Sequence, residues 1–222
     1  MICATAVVLA DIREAITAGA GAPTDKWAAP WRTGRPATSD PPPGPLADWF
    51  ATIRARADGP TIRIRPGTRA ASYNVRSDIV RVPGWQDCTS AGAWWWAVAH
   101  ELVHATGHPD RLGRPFGRWP RASGPDAARR HEEVVAEIGA AVILRRGGID
   151  RTWQHAQFVR SFADGVDLWR AAADAAAAVA WLFPKPDILS GSSYVGPRTA
   201  PTTTPRRTPC PSPPSAQPAE PT

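Results

Sequence analysis

Residues 100–110 read HELVHATGHPD, placing three histidines, a glutamate and an aspartate within one short stretch. Positions i and i+4 of a helix lie on one face about one turn apart, so His100 and His104 can turn two imidazoles toward a single metal ion. Glu101, beside the first of them, can orient a metal-held water and take its proton. A zinc ion lowers the pKa of such a water to roughly 7, which makes hydroxide available at neutral pH. The chemistry that this spacing serves is hydrolysis.

The HExxH pattern is short, and a helix whose histidines are merely packed or solvated also matches it. Two features favour a metal. The surrounding helix is strongly apolar (Trp94–Val98, Leu102, Val103), where unpaired polar side chains are costly. A later stretch, RRHEEVVAEIGAA, supplies clustered carboxylates.

Two residues compete for the third ligand position. Asp110 makes the string HExxHxxGxxD, a variant of the metzincin pattern in which Gly107 turns the chain back to the metal. Metzincins also need a methionine turn, and the only methionine here is Met1. The other candidate is Glu133, which shares a helix face with Glu137 four residues on, while Glu132 is rotated away. An acid pair at that spacing, one helix after HExxH, resembles the glutamate zincins. That resemblance implies that Glu133 binds Zn²⁺ and that Glu137 holds His100 or His104 in the required tautomer.

Several elements must position these groups. TIRIR (61–65) alternates as a half-exposed strand does, and ASYNVRSDIVRVP (71–83) reads as a hairpin with RSD as its turn. Thr89 or Ser90 can cap the HExxH helix, which Gly107 and Pro109 stop. A glycine- and proline-rich loop (113–125) precedes a helix that closes on Gly147 and Gly148, and two further helical stretches cover about 151–164 and 166–183. Strands first and helices after predict an α+β architecture, with a small antiparallel sheet followed by a mainly helical part that carries HExxH.

The 222-residue chain carries a net charge of +6, nearly all of it arginine; Lys26 and Lys185 are its only lysines. Guanidinium groups permit nucleic acid as a partner, but the arginines are scattered rather than gathered in a stripe. Cys3, Cys88 and Cys210 lie too far apart to suggest a disulfide framework or a CxxC site. The opening MICATAVVLADIREA lacks a basic start and soon becomes charged, so it reads poorly as a signal peptide. No run approaches a membrane span, and the expected location is cytoplasmic, with no membrane partner. Proline clusters divide the chain into an extension (1–45), a packed domain (46–184) and a Pro/Thr/Ser-rich tail (185–222) expected to be disordered.

DIVRVP (78–83), HELVHATGHPDRL (100–112), EEVVAEIGAA (132–141), HAQFVRSF (155–162) and AAADAAAAVAWLF (171–183) together resemble the zincin-like peptidase domain of the ArdC-type antirestriction proteins. The resemblance covers about residues 70–183. It implies a zincin-like, gluzincin-type metallopeptidase of mobile elements, acting on a protein or peptide substrate. His155 matches a histidine in the family's next helix and can donate to a tetrahedral oxyanion. In that family the corresponding hairpin borders the cleft, so the resemblance implies that Tyr73 lines it. The family's N-terminal single-stranded-DNA-binding domain is represented only by AITAGAGAPTDKWAAPWR (15–32), after which RPATSDPPPGP departs from it. Trp27, Trp31 and Trp49, beside Arg32 and Arg35, can stack on bases or pack as remnants against the peptidase domain. The rival reading is therefore a non-proteolytic antirestriction protein that binds single-stranded DNA and uses zinc only as a structural staple.

Overall fold

A computed structural model of the chain describes residues 2–19, 40–68, 70–116 and 126–183. The chain divides into two compact units, Met1–Ser192 and Ser193–Thr222, and every described residue belongs to the first. The expected tail, the loop residues 117–125 and the candidate base-stacking positions Trp27, Trp31, Arg32 and Arg35 lie outside the described residues.

Among the described residues three strands are followed by a short 3-10 turn (Trp85–Asp87) and four α-helices: β1 (Thr61–Arg65), β2 (Ser72–Asn74), β3 (Ile79–Pro83), then α3 (Ala91–Thr106), α4 (Ala127–Arg146), α5 (Thr152–Phe162) and α6 (Leu168–Leu182). Two earlier helices, α1 (Ile2–Thr17) and α2 (Ala47–Arg54), precede them. The α+β expectation holds. The sheet, however, is mixed rather than antiparallel, with strand order β1-β3-β2. β1 runs parallel to β3 (Thr61 opposite Ile79, Arg65 opposite Pro83), and β2 pairs antiparallel with β3 (Tyr73 opposite Val80). The reason lies in burial. β3 carries fully buried Val80 and Val82 and takes the centre, while the short polar strand β2 is left at the edge.

Asp78 closes the hairpin in the left-handed region (φ 49°), a conformation that aspartate tolerates better than most residues. Its carbonyl accepts the Thr61 N–H at 3.0 Å, and its carboxylate accepts the Tyr73 hydroxyl at 2.9 Å and the Arg111 guanidinium. One turn residue thus ties both neighbouring strands to the loop after α3.

Ser90 Oγ accepts the Ala93 N–H at 3.0 Å and caps α3, as its sequence position predicts; Asp126 caps α4 in the same way. α3 is buried on almost every side from Trp94 to Thr106. It packs closely on α4, where a Cβ at Gly139 would lie 2.8 Å from Val103 Cγ2.

Residues 2–17 are not an appendage. Val8, Leu9 and Ile12 of α1 form a buried stripe in the core, and Asp11 pairs with Arg145 of α4. α2 was not anticipated either. Leu46, Trp49, Phe50 and Ile53 recur at helical spacing and are all fully buried. Trp49 stacks on Phe183 with ring centroids 5.3 Å apart, so it is a core residue and not a platform for bases. Among the described residues no helix is long and apolar enough to cross a membrane.

Candidate metal centre

His100 and His104 lie on one face of α3, Glu101 is turned about 100° from His100, and all three are buried. The two Nε2 atoms lie 3.1 Å apart. Glu133 of α4 approaches them with Oε2 3.4 Å from His100 Nε2 and Oε1 3.8 Å from His104 Nε2. These are the residues, among those described, whose ligand atoms converge, all within 4.8 Å of one another.

The other edge of each imidazole is held by a carboxylate. Glu137 Oε2 lies 2.9 Å from His100 Nδ1, and Glu132 Oε1 lies 3.0 Å from His104 Nδ1. A carboxylate at Nδ1 keeps a proton there and leaves the Nε2 lone pair for the inner side. Two inward imidazole nitrogens and one carboxylate form a three-ligand donor set that leaves a fourth position for water or substrate. The residues therefore fit a divalent cation.

Both supporting carboxylates are fully buried and themselves held. Glu137 accepts from the Trp96 indole at 2.9 Å and lies 2.7 Å from His155 Nδ1. Desolvation opposes its ionisation, but the charge of His155 and the hydrogen bonds of His100 and His155 outweigh it and hold the pKa down at about 2. Glu132 receives a two-pronged contact from Arg114, Nε to Oε2 and Nη2 to Oε1, both 2.9 Å. Burial again pushes its pKa up, and the bonds to His104 and Arg114 bring it below the usual carboxylate range. Arg114 also bonds Thr106 Oγ1 and Val103 O at 2.8 Å each, locking the C-terminal turn of α3. A Cβ at Gly107 would lie 3.1 Å from both Arg114 Nη2 and Phe116 Cζ. Beyond ending the helix, that glycine lets the loop fold over it.

The expected positions fare differently. Glu132, which the helical wheel rotates away, braces His104. Neighbouring residues 100° apart can both face a second helix when the two pack closely, and the Gly139–Val103 approach brings α4 that near. Asp110, the alternative third ligand, has a side chain 90 % exposed beside His108 and is not part of the cluster. His155 is buried with its Nδ1 2.7 Å from Glu137 Oε1, and it is not among the residues that line the cavity over the three converging side chains. It packs edge-on against Trp96, inside the layer of polar groups behind His100. His131 pairs with Asp174 of α6 at 2.8 Å.

A cavity of about 300 Å³ opens over the three converging side chains, lined also by Glu101, Arg129, Phe116, Phe162 and the β2 residues Ser72 and Tyr73. The Tyr73 hydroxyl is turned to Asp78, and its ring leans on Phe116 with centroids 5.7 Å apart. Burial and Asp78 push the Tyr73 pKa upward, which keeps the phenol neutral. Arg129 had no signal in the sequence beyond its i,i+4 spacing from Glu133, with which it forms an ion pair.

Residues 52–178 match the family described as zincin-like metallopeptidase, MPTase-PolyVal. The chain belongs to that family. It is also similar to two DNA primases TraC of Escherichia coli, 36 % and 33 % identical over 141 residues. The match takes in 57 % of this chain but only 12 % and 9 % of those proteins' lengths. Among solved structures, the metal-free form of the antirestriction ArdC protein from R388 plasmid shares 27 % identity, with a TM-score of 0.45 over 71 % of this chain and 54 % of that one. Its Mn(II)-bound form gives 0.44, again at 27 % identity, over 72 % and 57 %.

Proposed function

We propose that the domain is a zinc-dependent peptidase. The observation that carries this reading is the convergence of His100, His104 and Glu133 in a cavity that Glu101 also lines. His100 Nε2, His104 Nε2 and a Glu133 oxygen would hold the ion, which would supply Lewis acidity toward a carbonyl and lower the pKa of a water. Glu101 takes the proton of the attacking water and passes it to the leaving amine. Glu137 and Glu132 keep the two imidazoles oriented, and the layer behind them excludes solvent. β2 lies at the sheet edge and borders the cavity, so an extended peptide can add to it as a further strand and present its backbone to the site.

The test begins with zinc stoichiometry in the purified protein beside Glu133→Ala and Asp110→Ala. About one zinc per chain, lost in Glu133→Ala and kept in Asp110→Ala, supports the reading. Cleavage of a peptide library should then vanish in Glu101→Gln while its zinc remains. Cleavage that persists in Glu101→Gln sinks the mechanism.

The kinship with TraC primases favours a second reading, in which the domain acts beside DNA and the metal only staples the fold. Salt-sensitive binding of single strands, undiminished in Glu101→Gln and without any peptide cleavage, would select it.

A further inference from the structure

Arg129 stands one helical turn before Glu133 in α4, and its guanidinium pairs with Glu133 Oε1. Helix physics alone does not favour this placement. A cation in the first turn faces the positive end of the helix dipole, and the basic residue preceding the acid is the weaker order for an i,i+4 pair. The reason lies in the cavity, which Arg129 lines together with His100, Glu101, His104 and Glu133. Its side chain is 28 % exposed, while the carboxylate it grips is 3 % exposed. Oε1 carries the guanidinium and stands 3.8 Å from His104 Nε2, while Oε2 comes closer to its imidazole, 3.4 Å from His100 Nε2.

A carboxylate with one oxygen so engaged offers a metal its other oxygen. Two imidazoles and a one-oxygen carboxylate suit the four-coordinate sites of zinc. Manganese(II) and other hard cations prefer more oxygen ligands, and a carboxylate that chelates through both oxygens helps supply them. We infer that Arg129 sets the metal selectivity of the centre, restricting Glu133 to one oxygen and favouring zinc over manganese(II). This rests on the metal role proposed above. The positive charge of Arg129 weakens binding of every dication alike, so it cancels in the ratio of two affinities. The constraint on Glu133 does not cancel.

The experiment measures Zn(II) and Mn(II) dissociation constants by chelator competition in the full chain, for wild type, Arg129→Met and Arg129→Lys. Arg129→Met should bind both metals more tightly but manganese disproportionately, lowering the Mn/Zn ratio of dissociation constants on the order of tenfold. Arg129→Lys, which keeps the charge and a donor to Oε1, should stay near the wild-type ratio. Arg129→Leu, which also lacks a donor, repeats the measurement should the methionine variant melt early. An equal shift for both metals in Arg129→Met overturns the inference and leaves the metal centre standing. A wild-type chain that binds neither metal overturns the centre and the inference together.

Discussion

Glu132 Oε1 lies 3.0 Å from Nδ1 of His104, and the carboxylate is fully buried with Arg114 bonded to both of its oxygens. Each histidine of the HExxH helix is thus held by its own acid from α4. The two acids are balanced differently: Glu132 by a guanidinium, Glu137 by Trp96 and a further histidine. The first arrangement is a buried ion pair whose partners cannot be removed singly without leaving an uncompensated charge.

Arg114→Met should therefore lower stability by about 3–5 kcal/mol, the scale for breaking a buried pair. Glu132→Gln, which keeps an amide oxygen toward His104, should fold with a smaller loss. It should weaken zinc on the order of tenfold, because the imidazole loses its charged support. Denaturant titration and chelator competition on the two variants separate these effects. Wild-type zinc affinity in Glu132→Gln would show that the brace does not act on the metal.

Gly139→Ala places a methyl against Val103, whose Cγ2 lies 2.8 Å from the added Cβ. Both residues are packed between α3 and α4, so the cost is overpacking of about 1–3 kcal/mol. Val103→Ala in the same chain should recover most of it. Failure of the second substitution to rescue the first in urea unfolding would mean the helices yield by another route.

Asp78 contributes stability with a defined dependence on acid. Burial raises its pKa, but the bonds from Arg111 and Tyr73 pull it below the usual carboxylate range. A carboxylate depressed on folding adds stability that is fully present above its unfolded pKa and is lost as pH falls through its folded value. Asp78→Asn, which tolerates the same left-handed turn, should cost about 1 kcal/mol near pH 7. The gap between wild type and variant should close as pH drops below about 4. Thermal melts of the two proteins from pH 7 to pH 2.5 check this, and a constant gap would refute it.

Metal should act on stability by mass action. At a free zinc concentration one hundred times the dissociation constant, the folded state gains about 2.7 kcal/mol. His104→Ala should melt at the same temperature with and without zinc, whereas the wild type should shift upward and return on chelation. A wild-type melting temperature that ignores zinc and chelator alike would argue against a metal centre at these residues.

Much of this protein is written in short-range pattern. The four-residue step from His100 to His104 places both imidazoles on one face wherever a helix forms, and Ser90 marks where that helix begins. The alternation of TIRIR is local in the same sense and marks β1, and the spacing of Glu133 and Glu137 places both on the side of α4 that meets His100. The stripes of α1 and α2 are equally local, one within the extension (1–45) and the other at the start of the packed domain (46–184). Val8, Leu9, Ile12, Trp49, Phe50 and Ile53 are buried at that helical period.

What no local pattern contains is how closely, and at what angle, two helices meet. The approach of Gly139 to Val103 brings Glu132 onto His104 although the helical wheel turns it aside. The same packing sets His155 against Glu137, and the loop after Gly107 delivers Arg114 to a carboxylate eighteen residues away. The order of the sheet, with β3 between β1 and β2, follows from which strand has the most apolar surface to hide. Period and capping arise from bonds between near neighbours, so the sequence alone determined the helix that offers two histidines and the acid beside them. Register between elements arises from the whole core closing at once, so only the tertiary structure decided which carboxylates, guanidinium groups and ring nitrogens surround them.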